Sequence, residues 1–146
     1  MNKFITRYFS ANQQRLELLY IGFRKYKRSS PEHAQRLFKL FSHDLAQHMQ
    51  WDQNLIFPLL QAFGESPLDE LIHKARAEQQ KIRQQVDAVE HLLRKGQESH
   101  DDEQRLEYLL SDHFENQEFD LYPACDRLFD TDTVTRLTES LSSSPR

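Results

Sequence analysis

Apolar positions along the chain recur at three- and four-residue steps in four long segments, the spacing of helices that each bury one face. The first runs from about Ser10 to Lys27, with Leu16, Leu19, Tyr20 and Phe23 inward and Asn12 and Gln13 on or beside that face. Ser29-Ser30-Pro31-Glu32 then reads as a helix start. Ser30 is the expected N-cap, Pro31 the first helical residue, and Glu32 stands at the positive end of the dipole. The second helix continues to about Phe63 with Leu37, Phe41, Leu45, Leu55 and Leu59 on its stripe. Pro58 should kink or loosen its last turn, and Gly64 should cap it.

Ser66-Pro67 repeats the start signal and opens a third helix whose face is Leu68, Leu71, Ala75, Ile82, Val86, Val89 and Leu93; Gly96 closes it. The fourth starts near Asp101, with Asp101, Asp102 and Glu103 in its first turn. It carries Leu106, Leu110, Phe114, Gln117, Leu121 and Leu128 inward with His113 beside them, and Pro123 interrupts it late. A short helix from about Asp132 to Leu141 follows. Met1 to Phe9 is a lead-in whose Phe4, Tyr8 and Phe9 pack on the rest, and Ser142 to Arg146 is expected to fray. Four long amphipathic helices with short loops predict an all-α, up-down-up-down four-helix bundle. It forms a single domain over residues 1–146, with its core at about 10–130.

The polar exceptions to this pattern carry the chemistry. His48 falls in the middle of an apolar stripe, and Asp52, one turn on, shares its face. Buried polar groups cost free energy unless something satisfies them. A metal would do so, and so would a hydrogen-bonded pair. The third helix has a hole in its stripe between Ala75 and Ile82, where Gln79 falls. The pattern also repeats. His48 and Pro58 stand ten residues apart, as do His113 and Pro123, and Gln13 precedes Leu16 by three as Gln79 precedes Ile82. The halves align at an offset of about 65 residues. Helices two and four then run in the same direction and bring their histidines to a similar depth, which is how bundle cores assemble metal sites.

Composition narrows the classes. The chain has 146 residues, 29% of them charged, with a formal net charge of -4 and interspersed signs. That leaves no basic stripe for nucleic acid. The one cysteine, Cys125, cannot form an internal disulfide, which favours a reducing compartment. No apolar run approaches membrane-spanning length and Met1 to Ser10 lacks the apolar core of a signal peptide, so a cytoplasmic protein without a membrane partner is expected.

His48, Asp52 and Phe57-Pro58, followed by His113, Glu118 and Tyr122-Pro123, resemble the hemerythrin family of cation-binding bundles over about residues 10–130. The family's signature is a His, a carboxylate four or five residues on, and an aromatic-Pro pair near ten. The resemblance implies non-haem iron, two ions bridged by carboxylates from helices two and four, with further histidines from helices one and three. It points to His48, Asp52, His113 and Glu118 as metal ligands, with Gln13, Glu17, Gln79 and Gln117 as possible additions; Glu78 could also join if it turns inward. The pattern departs from the family at several of these positions. Gln13 and Gln79 stand where histidines are expected, Arg83 where the oxygen carriers have another His, and Gln117 where many relatives have a bridging Glu.

An amide oxygen is a poor iron ligand against imidazole or carboxylate, and a guanidinium repels a cation and pairs with carboxylates instead. Three outcomes follow: a vestigial polar core with Arg83 near Asp52 or Glu118, a full di-iron site, or one weaker metal. Without a second copy at His113, His48 would read as an ordinary core histidine. His33, His43, His73, His91 and His100 lie off the stripes and read as solvated. Trp51 and Cys125 read as packing residues, and Arg24-Lys25-Tyr26-Lys27-Arg28 as a helix C-terminus.

No nucleophile–base set, phosphate loop or redox cysteine pair is visible, so an enzyme is not expected and no catalytic residue is named. The expected function is that of a regulatory or partner-binding protein, its protein partner unidentified, on a scaffold with a degenerate metal site. Leu37 to Leu60 also weakly resembles a bacterial family of sigma-factor regulators, another ligand-poor bundle. The alternative is a working di-iron protein that binds or senses oxygen, nitric oxide or iron.

Overall fold

The computed structural model describes residues 3–143. Helix α1 (Phe4–Tyr26) leads into α2 (Pro31–Trp51), a π-helical turn (Asp52–Ile56) and α3 (Phe57–Gln61). The second half repeats the plan. Helix α4 (Ser66–Arg94) leads into α5 (His100–Asn116), a second π-helical turn (Gln117–Leu121) and α6 (Tyr122–Leu128). Helix α7 (Thr131–Ser143) closes the described chain. Helix α1 packs along α2, α4 along α5, and α1 also against α6. The result is the expected all-α bundle with a short extra C-terminal helix. None of the described helices is long and apolar enough to cross a membrane.

The punctuation signals act where they stand. Pro31 and Pro67 open α2 and α4. Gly64 and Gly96 end helices at φ +65, a left-handed conformation that glycine adopts without steric cost. Ser30 occupies the N-cap position of α2, but its side chain makes no capping bond.

The helical lead-in departs from expectation. Helix α1 begins at Phe4, not near Ser10. The reason is a distant residue: Asp126 accepts the backbone N–H groups of Ile5 (2.8 Å) and Thr6 (3.1 Å) and the Thr6 hydroxyl (2.6 Å). A carboxylate from α6 thus takes the role of an N-cap and satisfies donors that a helix start leaves open. At the other end α7 runs to Ser143, past the expected boundary; of the segment expected to fray, residues 144–146 lie outside the described residues.

The two π-helical turns explain why the predicted stripes fail after the histidines. Pro58 and Pro123 have no N–H to donate, and each ring would clash with the carbonyl four residues back in a regular helix. A turn widened by one residue just upstream removes the conflict. Phe57 N–H reaches the carbonyl of Asp52, and Tyr122 N–H that of Gln117, five residues back in each case. The extra residue moves the inward register one position on. Ile56 and Leu60 are buried, whereas the expected Leu55 and Leu59 are only half-buried. Likewise Tyr122, Cys125 and Phe129 point inward, and Leu128 is half-buried.

The apolar core consists of two clusters. One gathers Ile5, Phe9, Trp51, Phe57, Leu60, Ile72, Leu121 and Tyr122 with Leu137 and Leu141 of α7. The other gathers Leu16, Phe23, Phe38, Phe41, Leu45, Ile82, Val89, Leu106 and Leu110. On α1 and α4 the boundary between them falls at Gln13 and Gln79, and on the other two long segments just after His48 and His113, between Met49 and Trp51 and between Phe114 and Leu121. Far from that layer, the carboxylate of Glu103 is buried at the start of α5 and bonded by Arg24, Lys27 and Ser99, which ties the end of α1 to α5.

Candidate functional site

The layer between the two clusters holds Gln13, His48, Asp52, Gln79, His113 and Gln117, all buried, with the hydroxyl of Tyr122 reaching in from α6. Asp52 is its centre. Its Oδ2 accepts Gln79 Nε2 at 2.9 Å and Gln117 Nε2 at 2.8 Å, and its Oδ1 accepts the Tyr122 hydroxyl at 2.8 Å. Gln13 Nε2 donates to Gln117 Oε1 at 2.7 Å, and Gln53 Nε2 to Gln79 Oε1 at 3.0 Å. Neutral amides and one phenol therefore satisfy the one carboxylate in the layer, as a buried charge requires.

The two imidazoles are held in opposite senses. Asn12 Nδ2 lies 2.7 Å from His48 Nδ1. An amide nitrogen donates, so Nδ1 accepts and the proton of the neutral ring sits on Nε2. That Nε2 faces the Tyr122 hydroxyl at 3.2 Å, which passes its own proton towards Asp52. Burial, foremost, pushes His48 below its ordinary value of 6.5, and it overrides the opposing pull of Asp52. At 3.9 Å from Asp52, the neutral ring makes no ion pair. His113 instead gives its Nδ1 to a carboxylate, Glu78 Oε1, at 2.8 Å, while Asn116 holds the other oxygen at 2.7 Å. Its Nε2 then carries the lone pair. That atom is buried without a hydrogen-bond partner among the described residues.

The bonds sort by hairpin. Those on Nδ1 stay within one half: Asn12 with His48, Glu78 with His113. Those that reach the centre cross between halves: all three donors to Asp52 come from residues after Ser66, and Gln13 and Gln53 bond to the second half in turn.

The structure thus brings together His48, Asp52, Gln13, Gln79, Gln117 and His113. Glu118 is not among them. It is half-buried outside the layer, one residue past Gln117, which holds the inward position one regular turn after His113. Glu17 is largely exposed and does not enter the layer; the partial desolvation it does undergo, with repulsion from Glu118, raises its carboxyl. Glu78 does turn inward, but onto Nδ1 of His113, not towards the centre. Arg83 corrects the expectation of a guanidinium against Asp52. It is exposed and lines an open groove with Gln53, Arg76, Gln80, Gln84 and Asp87, since it follows Ile82 just off the buried face. Tyr122 entered the sequence reading only as half of an aromatic-Pro pair. Its role as bridge follows from the register shift, which periodicity alone does not reveal.

The donor set can be weighed against a pair of divalent cations. Four positive charges would meet one carboxylate whose two oxygens are already engaged, one imidazole that presents a proton, one imidazole with an unengaged nitrogen, and three neutral amides. Among the described residues no three His, Cys, Asp or Glu side chains gather to hold an ion. The residues present do not fit two irons.

No curated protein and no solved structure matches the chain in comparisons of either kind. A family model does: residues 8–125 match that of the hemerythrin HHE cation binding domain, and the chain belongs to this family.

Proposed function

We propose that this protein is a hemerythrin-like scaffold whose centre is closed by hydrogen bonds instead of iron, and that it works through its surface as a non-enzymatic regulatory or partner-binding protein. The observation that carries the reading is Asp52. Both its oxygens are taken by neutral donors from the opposite half of the bundle. A cation bridge would have to displace them and would gain few anionic ligands in return. All the inward polar groups of the layer except His113 Nε2 are engaged with one another, and burial holds the Cys125 thiol far above its ordinary range, which supports a role without chemistry at the centre. For a role at the surface, Leu18 and Ile21 stand 68% and 53% exposed one turn apart on α1. Tyr108 and Phe119 are exposed as well.

A second reading, a non-haem iron protein that binds or senses oxygen, nitric oxide or iron, draws support from His113. A carboxylate on Nδ1 with the Nε2 lone pair turned inward is the arrangement that orients imidazoles towards metals. Metal analysis on protein purified without chelators, followed by anaerobic iron loading, separates the two. The first reading expects iron far below one ion per chain, no near-ultraviolet charge-transfer absorption, and a thermal midpoint unmoved by chelator. Stoichiometric iron with that absorption overturns it in favour of the second.

A further inference from the structure

The repeat sets the two halves of the layer side by side. At an offset of 65 or 66 residues, Asn12 answers to Glu78, Gln13 to Gln79, His48 to His113, Asp52 to Gln117 and Phe57 to Tyr122. On one side the Tyr122 hydroxyl closes the inward nitrogen of His48. On the other, position 57 is phenylalanine, and the second ring nitrogen of His113 has no hydrogen-bond partner among the described residues although the ring is 1% exposed. The two observations account for each other. The side chain that the repeat assigns to His113 is the one that lacks an oxygen.

We propose that His113 Nε2 anchors an internal site for one small neutral hydrogen-bond donor, a single water molecule, at the place where Phe57 lacks the hydroxyl that Tyr122 supplies in the other half. The chemistry of the wall selects such an occupant. Glu78 accepts the proton on Nδ1, so in the neutral ring Nε2 is the acceptor. Gln117, one turn on along the same face, has a side-chain oxygen that takes one bond, from Gln13. That leaves a second lone pair for the same molecule. Two acceptors one helical turn apart suit both protons of a water, and buried waters commonly bridge buried polar groups of this kind. The charge of Asp52, which would draw a cation, is already covered by three donors. The proposal rests on the hydrogen-bonded reading of the centre, because an ion on Nε2 would use the same lone pair.

The test is long-range proton–nitrogen correlation of the imidazoles in the full-length labelled chain, with metal content measured on the same sample. The expected spectrum shows His113 protonated on Nδ1, with Nε2 shifted as a hydrogen-bonded acceptor and its ring protons in cross-relaxation with water. In Phe57→Tyr the new hydroxyl should replace the water: the cross-relaxation disappears while Nε2 stays hydrogen-bonded. A metal-free protein whose Nε2 resonates as a free lone pair, without water contact, overturns the site and leaves the reading of the centre standing. Stoichiometric metal with a perturbed His113 resonance overturns both. Should Phe57→Tyr fail to fold, the wild-type spectrum still decides between these outcomes.

Discussion

Tyr122→Phe removes one oxygen atom from the middle of the layer and nothing else. The ring and its packing against Phe9, at 4.9 Å between centroids, remain. Two partners are stranded: Asp52 Oδ1, which loses its 2.8 Å donor, and the Nε2 proton of His48, which loses its 3.2 Å acceptor. Both residues are fully buried, so bulk water does not replace the hydroxyl. A bond to a carboxylate contributes about 1.5–3 kcal/mol, and a buried group left unpaired costs about 1–3 kcal/mol. The two overlap at Asp52, so the expected loss is about 2–4 kcal/mol. In urea, with a slope of about 1–3 kcal/mol per molar, the midpoint should fall by roughly 1–2 M. On heating, it should fall by roughly 6–12 °C. Tyr108→Phe, which alters a ring 70% exposed, is the control and should leave both midpoints in place. Coupling in a cycle with Asp52→Asn should reach about 1–3 kcal/mol. A Tyr122→Phe protein within about 0.5 kcal/mol of wild type would refute the account of the centre as a closed hydrogen-bonded layer.

Two further outcomes follow from neighbouring features. Because His48 is held neutral inside while the unfolded ring takes up a proton below 6.5, unfolding binds protons in acid. Stability should therefore fall as pH drops from 6.5 towards the depressed folded value, by at most about 1.4 kcal/mol per pH unit, and His48→Gln should flatten that slope in urea titrations. Asp126→Ala removes the three bonds that start α1. It should cost about 1–2 kcal/mol and speed amide exchange at Ile5 and Thr6 while leaving the layer's amides protected.

Much of the fold is written in local signals. Pro31 and Pro67 mark helix starts, Gly64 and Gly96 mark ends, and in regular helix most of the apolar stripe is buried, with Leu19, Leu37, Leu71 and Leu93 half-buried at its edge. The repeated interval from histidine to proline identifies both halves of the site. What periodicity cannot carry is the phase beyond Asp52 and Gln117, because one extra residue per widened turn rotates everything that follows. That is why Leu55 and Leu59 were expected where Ile56 and Leu60 sit, and why the bridge at Tyr122 stayed hidden; Glu118 is only the carboxylate next to the inward Gln117. Arg83 failed for a related reason: a position one turn beyond an inward residue is inward only if the stripe is wide enough, and here Ile82 holds that edge. The cap on α1 could not be read locally at all, since Asp126 stands 121 residues from Ile5.

The division of bonds between the hairpins also bears on assembly. Every donor to Asp52 belongs to the half that follows the loop at residues 62–65, while each ring's Nδ1 partner travels with it. Two molecules that traded C-terminal halves through that loop would rebuild the whole layer without losing a bond. Such a swapped dimer differs from the monomer only in the path of the connector, so strain introduced there, and not at the centre, sets the balance between the two forms.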